Sequence, residues 1–283
     1  MGSSSTSSFM AALADELILD RDPRTANWFL GGNRLFLASL FMAYVYVVKI
    51  GGPRFMKGRK PYDGIKPVVI IYNACMVVLN AYFMTAFLSR TYMGGGYSLF
   101  CQGIDYEARD HITMSLLNLM WWYSLVRIAD FLDTLFFVLR KKDSHVSFLH
   151  VAHHIIVVYN GCYGVGYGPD GQAALSVILN CFVHVIMYTY YLLSLLGPTV
   201  QKHLWWKRYL TQVQVVQFCI IFVHMLIPLF YNCGYPRPHI YVLVGEAVFF
   251  FTMFLRFYFN AYRDRKSPSR QNEDSDHGKS KVN

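Results

Sequence analysis

The stretch HVSFLHVAHHIIVVYNGCYG, residues 145–164, decides the fold because it combines a long apolar run with a cluster of histidines. A helix of about 20 residues crosses the ~30 Å hydrocarbon core of a bilayer. Ionisable residues are rare inside membrane segments and by default mark function there. The stretch therefore predicts a transmembrane helix that carries His150, His153 and His154 near its start.

Similar apolar runs recur along the whole chain. Of its 283 residues 54% are hydrophobic and only 15% are charged, whereas a soluble domain carries about 25% charged residues. The runs are unbroken and long, unlike the short alternating segments of a membrane β-barrel. We therefore predict an all-α membrane protein with seven transmembrane helices. Their approximate bounds are Trp28–Ile50, Ile65–Leu88, Ile112–Leu139, His145–Gly164, Gln172–Leu196, Tyr209–Tyr231 and His239–Tyr262.

Positive charge alternates between the loops that join these spans. The connections after the first, third and fifth spans are rich in Lys and Arg, and so is the segment after the seventh, whereas residues 166–171 carry none. The positive-inside rule then predicts a lumenal N-terminus and a cytosolic C-terminus. The net charge of +9 is therefore mostly a topology signal, and we do not expect nucleic acid as a partner.

The chain is expected to have three parts. Residues 1–27 form a lumenal N-terminal segment with no apolar signal-peptide core, residues 28–262 form the helical domain, and residues 263–283 form a polar, disordered cytosolic tail. Lys279 and Lys281 resemble a dilysine retrieval signal, which predicts an endoplasmic reticulum membrane location. Cys101 and Cys233 fall in loops assigned to the oxidising lumen and are candidates for a disulfide.

The polar residues of four spans converge on one side of the membrane. With the predicted orientation, each set lies in the cytosolic half of its span, while the lumenal halves are apolar and aromatic. This predicts a polar chamber that faces the cytosol above an apolar interior, for a substrate with a charged head and a hydrophobic tail. Besides the three histidines, the sets contain Arg127, Asp130, Asp133 and Thr134, then Asn180, His184, Tyr188 and Tyr191, then Thr211, Gln214 and Gln217.

Some of these residues also have purely structural interpretations. Arg127, Asp130 and Asp133 are spaced by three and could form an internal ion network. Gln214 and Gln217 could hydrogen-bond between packed helices. Three imidazoles within five residues are harder to explain by packing, and His184 lies at a similar depth on the next span.

Two chemistries suit such histidines. They can ligate iron or zinc, as in membrane desaturases and hydroxylases, but four histidines are too few for a di-iron site, and a zinc site stays open. Alternatively, neutral imidazoles can act as base or nucleophile on a thioester. Amide and tyrosine donors could then hold the developing oxyanion.

The ordered motifs resemble the signature boxes of very-long-chain fatty acid elongases. The matching boxes are Arg127-x-x-Asp130-x-x-Asp133-Thr134, His150-x-x-His153-His154, Asn180-x-x-x-His184-x-x-Met187-Tyr188-x-Tyr190-Tyr191 and Thr211-x-x-Gln214-x-x-Gln217. The resemblance implies a 3-ketoacyl-CoA synthase of the endoplasmic reticulum, with seven helices and a narrow acyl tunnel closed towards the lumen. The chain departs from the family in its first box, which usually reads Lys-x-x-Glu. His145 stands where elongases of polyunsaturated chains often have Gln.

The resulting hypothesis is condensation of a long-chain acyl-CoA with malonyl-CoA, without metal or other cofactor. We expect His153 to accept the acyl group, His184 to act as its partner or base, and His150 and His154 to orient the site. Acyl-CoA, malonyl-CoA and membrane lipid are the expected partners, with other enzymes of the elongation cycle as further candidates. A metal-dependent desaturase or hydroxylase is the alternative, and a seven-helix receptor fits the cytosolic chamber less well. The candidate substrate-binding residues are Arg127, Asp130, Asp133, Asn180, Tyr188, Tyr191, Gln214, Gln217, Arg140, Lys207 and Arg208.

Overall fold

The structure, a computed structural model, describes residues 21–31 and 33–262. Within these ranges the chain is helical and contains no β-strand. The predicted tail at 263–283, with Lys279 and Lys281, lies outside the described residues, as do residues 1–20 of the predicted N-terminal segment.

Eight helices of nine residues or more build the described part of the chain. Two of them contain a π-helical turn, at Val47–Gly51 and Ser89–Met93. A one-turn helix at Pro198–Gln201 lies in the connection before the seventh. In chain order the eight are α1 Arg34–Met56, α2 Asp63–Met93, α3 His111–Ala129, α4 Phe131–Leu139, α5 Phe148–Tyr167, α6 Gly171–Leu195, α7 Lys207–Phe230 and α8 Arg237–Tyr262.

Five of these helices, α1, α2, α6, α7 and α8, are long and apolar enough to cross a membrane. The prediction of an all-helical chain with several membrane-crossing helices is therefore confirmed. The third predicted span is instead two helices, α3 and α4, which meet at Asp130. The fourth corresponds to α5. Polar residues lower the hydropathy of both regions, and their crossing of the membrane stays a prediction.

The first helix begins later than the sequence indicates, at Arg34 instead of Trp28. The preceding residues form turns closed by backbone hydrogen bonds from Thr25 to Asp22 and from Trp28 to Thr25. The backbone N–H of Asp22 also donates to the carbonyl oxygen of Gly166, 3.0 Å away at the end of α5. The side chain of Asn33 then caps the first turn of α1. The extended apolar stretch around Trp28 is therefore part of a segment that lies against α5.

The helices pack in pairs. α2 lies along α6, α7 along α8, and α3 along α5, whereas the backbones of α5 and α8 come close at few positions. We call the end of the bundle at which α5 begins the histidine end, and the opposite end the disulfide end. At the disulfide end Cys101 and Cys233 are joined by a disulfide, which links the α2–α3 connection to the α7–α8 connection.

A buried ion pair also closes the disulfide end. The guanidinium of Arg24 lies 2.7 Å from Asp22 Oδ2 and 2.8 Å from Asp170 Oδ1. Burial raises the pKa of the Asp170 carboxyl, and its hydrogen bonds with Arg24 oppose that rise. The segment before α1 is thus fixed to the α5–α6 connection by charge as well as by backbone hydrogen bonds.

Gly161 allows α3 and α5 to pack closely. A Cβ at this position would lie 2.7 Å from Ser124 Oγ and 3.4 Å from Ser124 Cα. We expect Gly161→Val to force the two helices apart and to lower the melting temperature in detergent, since overpacking costs about 1–3 kcal/mol. Gly164→Ala is the matched control, because its Cβ would meet only the Cα of Pro169 at 3.7 Å. Equal melting of Gly161→Val and wild type would contradict this packing.

Candidate active site

Three of the four candidate histidines lie on the first two turns of α5. The helix begins at Phe148, not at His145 as expected, because the Ser147 side chain caps it by accepting a hydrogen bond from the backbone N–H of His150. The rings of His150 and His154, one turn apart, have centroids separated by 4.3 Å. The His153 ring lies 5.7 Å from that of His154. The predicted cluster is therefore formed.

His184 of α6 joins the cluster from the neighbouring helix. Its ring lies 6.2 Å from the ring of His153, with 21° between the two planes. Its Nδ1 is 2.8 Å from the carbonyl oxygen of Asn180. Because a carbonyl can only accept, Nδ1 carries the proton and Nε2 keeps a free lone pair. The backbone of α6 thus fixes the tautomer that a general base requires.

A chain of hydrogen bonds orients His150. Its Nε2 lies 2.8 Å from Thr134 Oγ1, and the same hydroxyl lies 2.7 Å from the Tyr44 hydroxyl. The Tyr44 ring in turn stacks on Phe131 with a centroid distance of 3.9 Å. Helices α1 and α4 therefore hold a histidine of α5. Sequence reasoning placed Thr134 in a motif but did not identify Tyr44, since nothing in the first span marks it as polar-facing.

The first motif forms a buried ion network that does not line the cavity described below. Arg127 Nη1 lies 3.0 Å from Asp130 Oδ2, and Arg127 Nη2 donates to Asn80 Oδ1 at 2.8 Å. The Tyr188 hydroxyl lies 2.6 Å from Asp133 Oδ2 and 3.1 Å from Asp130 Oδ1. These contacts are those expected of an internal ion network, which was the structural alternative to substrate binding. Asn80 is a member that the sequence did not reveal.

The network reaches the histidines through α6. Tyr188 lies one turn after His184 on α6, and their ring centroids are 5.9 Å apart. On the other side Asn180 accepts a hydrogen bond from the Tyr123 hydroxyl at 3.0 Å. Residues on both flanks of His184 are therefore tied to α3 and α4, which fixes the position of the imidazole.

A cavity of about 150 Å³ extends from the histidines towards the disulfide end. It lies between α3, α5, α6, α7 and α8, and most of its wall is apolar. Of the four candidate histidines, all of them described, His153 alone lines it. Asn180 and Gln217 are among the polar residues that also line it, and Gly168 and Pro169 lie at its far end. One imidazole of the histidine cluster therefore borders a mostly apolar cavity, which we call the tunnel.

The remaining candidate substrate-binding residues lie outside this cavity. The Tyr191 ring packs edge-on against Tyr188, and Gln214 is half-buried on α7. Lys207 and Arg208 are exposed at the start of α7, where Arg208 Nε donates to the Tyr258 hydroxyl at 2.9 Å. These four residues, and Arg140 after α4, therefore do not line the cavity.

Cations gather beside the histidine end. Partial burial, and then the neighbouring charges of Arg140 and Lys207, lower the pKa of Lys142. Burial and the charges of Lys142 and Lys207 likewise lower the pKa of His145. The connection after α4 and the start of α7 therefore form one positive surface, which we call the cation cluster. It consists of Arg140, Lys142 and Lys207, and sequence analysis assigned no substrate role to Lys142.

Comparison with known proteins shows the family to which the chain belongs. A model of the GNS1/SUR4 (ELO) family matches residues 29–270. This chain belongs to that family. Its relatives include a very long chain fatty acid elongase of Aedes aegypti, 40% identical over 245 residues that cover 87% of this chain and 68% of the relative. Very long chain fatty acid elongase 4 of Homo sapiens is 38% identical over 250 residues, 87% of this chain and 77% of the relative.

The match extends to relatives of similar length. Very long chain fatty acid elongase 1 of Mus musculus is 34% identical over 256 residues, which cover 90% of this chain and 91% of the relative. Membership of the GNS1/SUR4 family does not favour the metal-dependent desaturase alternative. Among the described residues, no group of three or more His, Cys, Asp or Glu side chains is arranged to hold a metal ion.

Proposed function

We propose that this protein is the condensing enzyme of fatty acid elongation, which joins a long-chain acyl-CoA and malonyl-CoA. One observation carries the proposal, namely that His153 lies at the junction of the histidine cluster and the apolar tunnel. An acyl chain in the tunnel would present its thioester to this imidazole. The products are 3-ketoacyl-CoA, carbon dioxide and free CoA.

The proposed topology has seven spans, with α3–α4 and α5 crossing the membrane beside the five apolar helices. The alternating loop charge places the histidine end in the cytosol, where both CoA substrates occur, and the disulfide end in the lumen of the endoplasmic reticulum. A disulfide between Cys101 and Cys233 suits that oxidising compartment. The polar chamber then faces the cytosol, and the tunnel closes towards the lumen.

In the first step the His153 imidazole attacks the carbonyl carbon of acyl-CoA. The bond from carbon to sulfur breaks, and the CoA thiolate takes the proton that the imidazole loses. We assign the transfer of this proton to His184 Nε2; the free lone pair of this atom and the 6.2 Å between the two ring centroids support the assignment. The product is an acyl-imidazole that keeps its chain in the tunnel while CoA leaves.

In the second step malonyl-CoA loses carbon dioxide and becomes an enolate. The enolate carbon attacks the acyl-imidazole carbonyl, the bond from carbon to nitrogen breaks, and the imidazole recovers a proton from solvent. Asn180 and Gln217 line the cavity and could stabilise the oxyanion. His150 and His154 act as positioning residues, and the buried ion network positions His184. The reaction requires no metal ion or other cofactor.

The direct test incubates the purified protein with radiolabelled malonyl-CoA and a panel of acyl-CoA chains. We expect products two carbons longer than each accepted substrate, and their release as 3-ketoacyl-CoA when no reductase is present. The assay is repeated after treatment with a chelator, and we expect unchanged activity. Absence of any extended product across the panel would overturn the proposal.

The cation cluster is expected to bind the phosphate groups of CoA. Lys142→Ala and Lys207→Ala should each raise the KM for malonyl-CoA about tenfold, with little change in kcat, because they remove attraction made equally in ground and transition states. Both variants should also weaken the dependence of KM on ionic strength. Lys202→Ala is the matched control, because Lys202 is an exposed lysine on the connection that leads to Lys207. An equal effect in this control would show that general surface charge is responsible.

A further inference from the structure

Part-way along the tunnel, a polar pair interrupts the apolar wall. The side-chain amide of Asn160 on α5 donates to Glu246 Oε2 on α8 at 2.5 Å, and both residues line the cavity. Their neighbours in the lining include Val157, Val242 and Leu243. A carboxyl group is costly in such surroundings unless its oxygens are hydrogen-bonded. The condensation reaction proposed above gives this pair no role.

The depth of the pair follows from helical geometry. Asn160 lies seven residues beyond His153 on α5, which is about 10 Å at 1.5 Å per residue. The Phe250 ring lies 5.3 Å from the His153 ring, and Glu246 precedes Phe250 by four residues, about 6 Å. Side chains of one helix lean in the same direction, so the lean changes neither separation. The pair therefore lies roughly 6–10 Å along the tunnel from His153.

A third polar side chain lies at a similar depth. Ser176 on α6 lines the same cavity and precedes His184 by eight residues, about 12 Å. Its hydroxyl oxygen is buried, and within the described residues it has no hydrogen-bond partner. The side chains of three helices thus bring polar groups to one level of the tunnel.

Two buried oxygen atoms at this depth of the tunnel have no hydrogen-bond partner among the described residues. Like the Ser176 hydroxyl, the Asn160 Oδ1 atom is buried without a partner among the described atoms. Buried polar groups are nearly always hydrogen-bonded, and each exception needs an explanation. A role as a bridge between α5 and α8 accounts for the one bond from Asn160 to Glu246, but it leaves both unpartnered oxygens unexplained. An unsubstituted alkyl chain cannot satisfy them either.

We propose that Asn160, Ser176 and Glu246 form a polar subsite of the acyl tunnel that binds a hydroxyl group carried by the acyl chain. The hydroxyl would donate to Asn160 Oδ1 or the Glu246 carboxyl and accept from Ser176. An extended chain with ~1.5 Å bonds advances about 1.3 Å per carbon, so 6–10 Å corresponds to about the sixth to ninth carbon. This inference rests on the proposed condensation function and names a substrate class for it.

The experiment compares kcat/KM for saturated acyl-CoA chains of one length, either unsubstituted or with a hydroxyl group at a single position. For wild type we expect the chain hydroxylated near the seventh or eighth carbon to be preferred about tenfold, since it satisfies buried polar groups that otherwise lack partners. Hydroxyl groups near the thioester or at the chain terminus should give no preference. This positional profile needs no variant.

Three variants test whether Glu246 and Ser176 cause the preference for the hydroxylated chain. Glu246→Leu and Ser176→Ala should each reduce the ratio of kcat/KM for the preferred hydroxylated chain to that for the unsubstituted chain, with Glu246→Leu bringing it to about one. Val242→Ile alters the same wall one turn away without changing its polarity, and it should keep the wild-type ratio. Extension of unsubstituted chains with no positional preference would overturn this inference alone. Extension of no chain at all would instead overturn the proposed condensation function.

Discussion

His153→Ala is expected to lower the rate of two-carbon extension by about 1,000-fold or more, because it removes the proposed nucleophile and with it the acyl-enzyme route. The Tyr188 contacts and the hydrogen bond from His184 to Asn180 do not involve His153. The variant should therefore fold and bind CoA like wild type. The measurement is incorporation of radiolabelled malonyl-CoA into extended product, together with the melting temperature in detergent.

The acyl intermediate provides an independent readout. With acyl-CoA and no malonyl-CoA, wild type should release one equivalent of CoA and gain the mass of the acyl group on the peptide that contains His153. His184→Ala should form the same adduct more slowly, since it removes the proposed base. His203→Ala, an exposed histidine on the α6–α7 connection, should behave like wild type. An adduct on any other residue, or full activity in His153→Ala, would contradict the assignment of His153.

Much of the site was predictable because helical periodicity fixes distance within one span. A spacing of four brings His150 and His154 onto one face, and their rings lie 4.3 Å apart. The meeting of His153 with His184 required only that neighbouring spans reach the same depth. The loop charges predict the direction in which each span runs, and the direction gives the expected depth of each residue in the membrane.

Other features depend on tertiary contacts that no local pattern encodes. Tyr44 and Asn80 lie in apolar spans with no motif around them, and their roles appear only where α1 and α2 meet the polar residues of other helices. Asn160 and Glu246 are 86 residues apart in the sequence, so their hydrogen bond depends on how α5 and α8 pack. The break between α3 and α4 at Asp130 was likewise not evident, because no Pro or Gly stands there and the residues on both sides of Asp130 are typical of helices.

Packing also determines which polar residues line the cavity and which form the buried ion network. From the sequence alone, Arg127, Asp130 and Asp133 were candidates either for binding substrate or for an internal ion network. In the structure Arg127, Asp130 and Asp133 are at least 94% buried and contact one another or their helical neighbours. Such groups are preorganised before substrate arrives, so their expected effect on catalysis acts through His184.

Arg127→Leu is expected to destabilise the protein by about 3–5 kcal/mol, the typical cost of removing one partner from a buried ion pair. The arginine side chain is 1% exposed, and its loss leaves Asp130 without its cation and Asn80 Oδ1 without its donor. The measurement is the shift of the unfolding midpoint in detergent. Arg127→Lys is the matched variant, and it should recover only part of the loss because one ammonium cannot reproduce the guanidinium contacts to both Asp130 and Asn80.

A double variant separates charge from packing. If the uncompensated carboxylate causes the loss, Arg127→Leu combined with Asp130→Asn should be more stable than Arg127→Leu alone, since the unpaired negative charge is gone. If lost volume were the cause, the second substitution would bring no recovery. The Tyr188 hydroxyl keeps Asp133 as its partner in both variants, so any loss of extension activity beyond the loss of folded protein would arise from Asp130, whose position no longer depends on Arg127. Wild-type stability in Arg127→Leu would show that the network does not hold α3 and α6 in register.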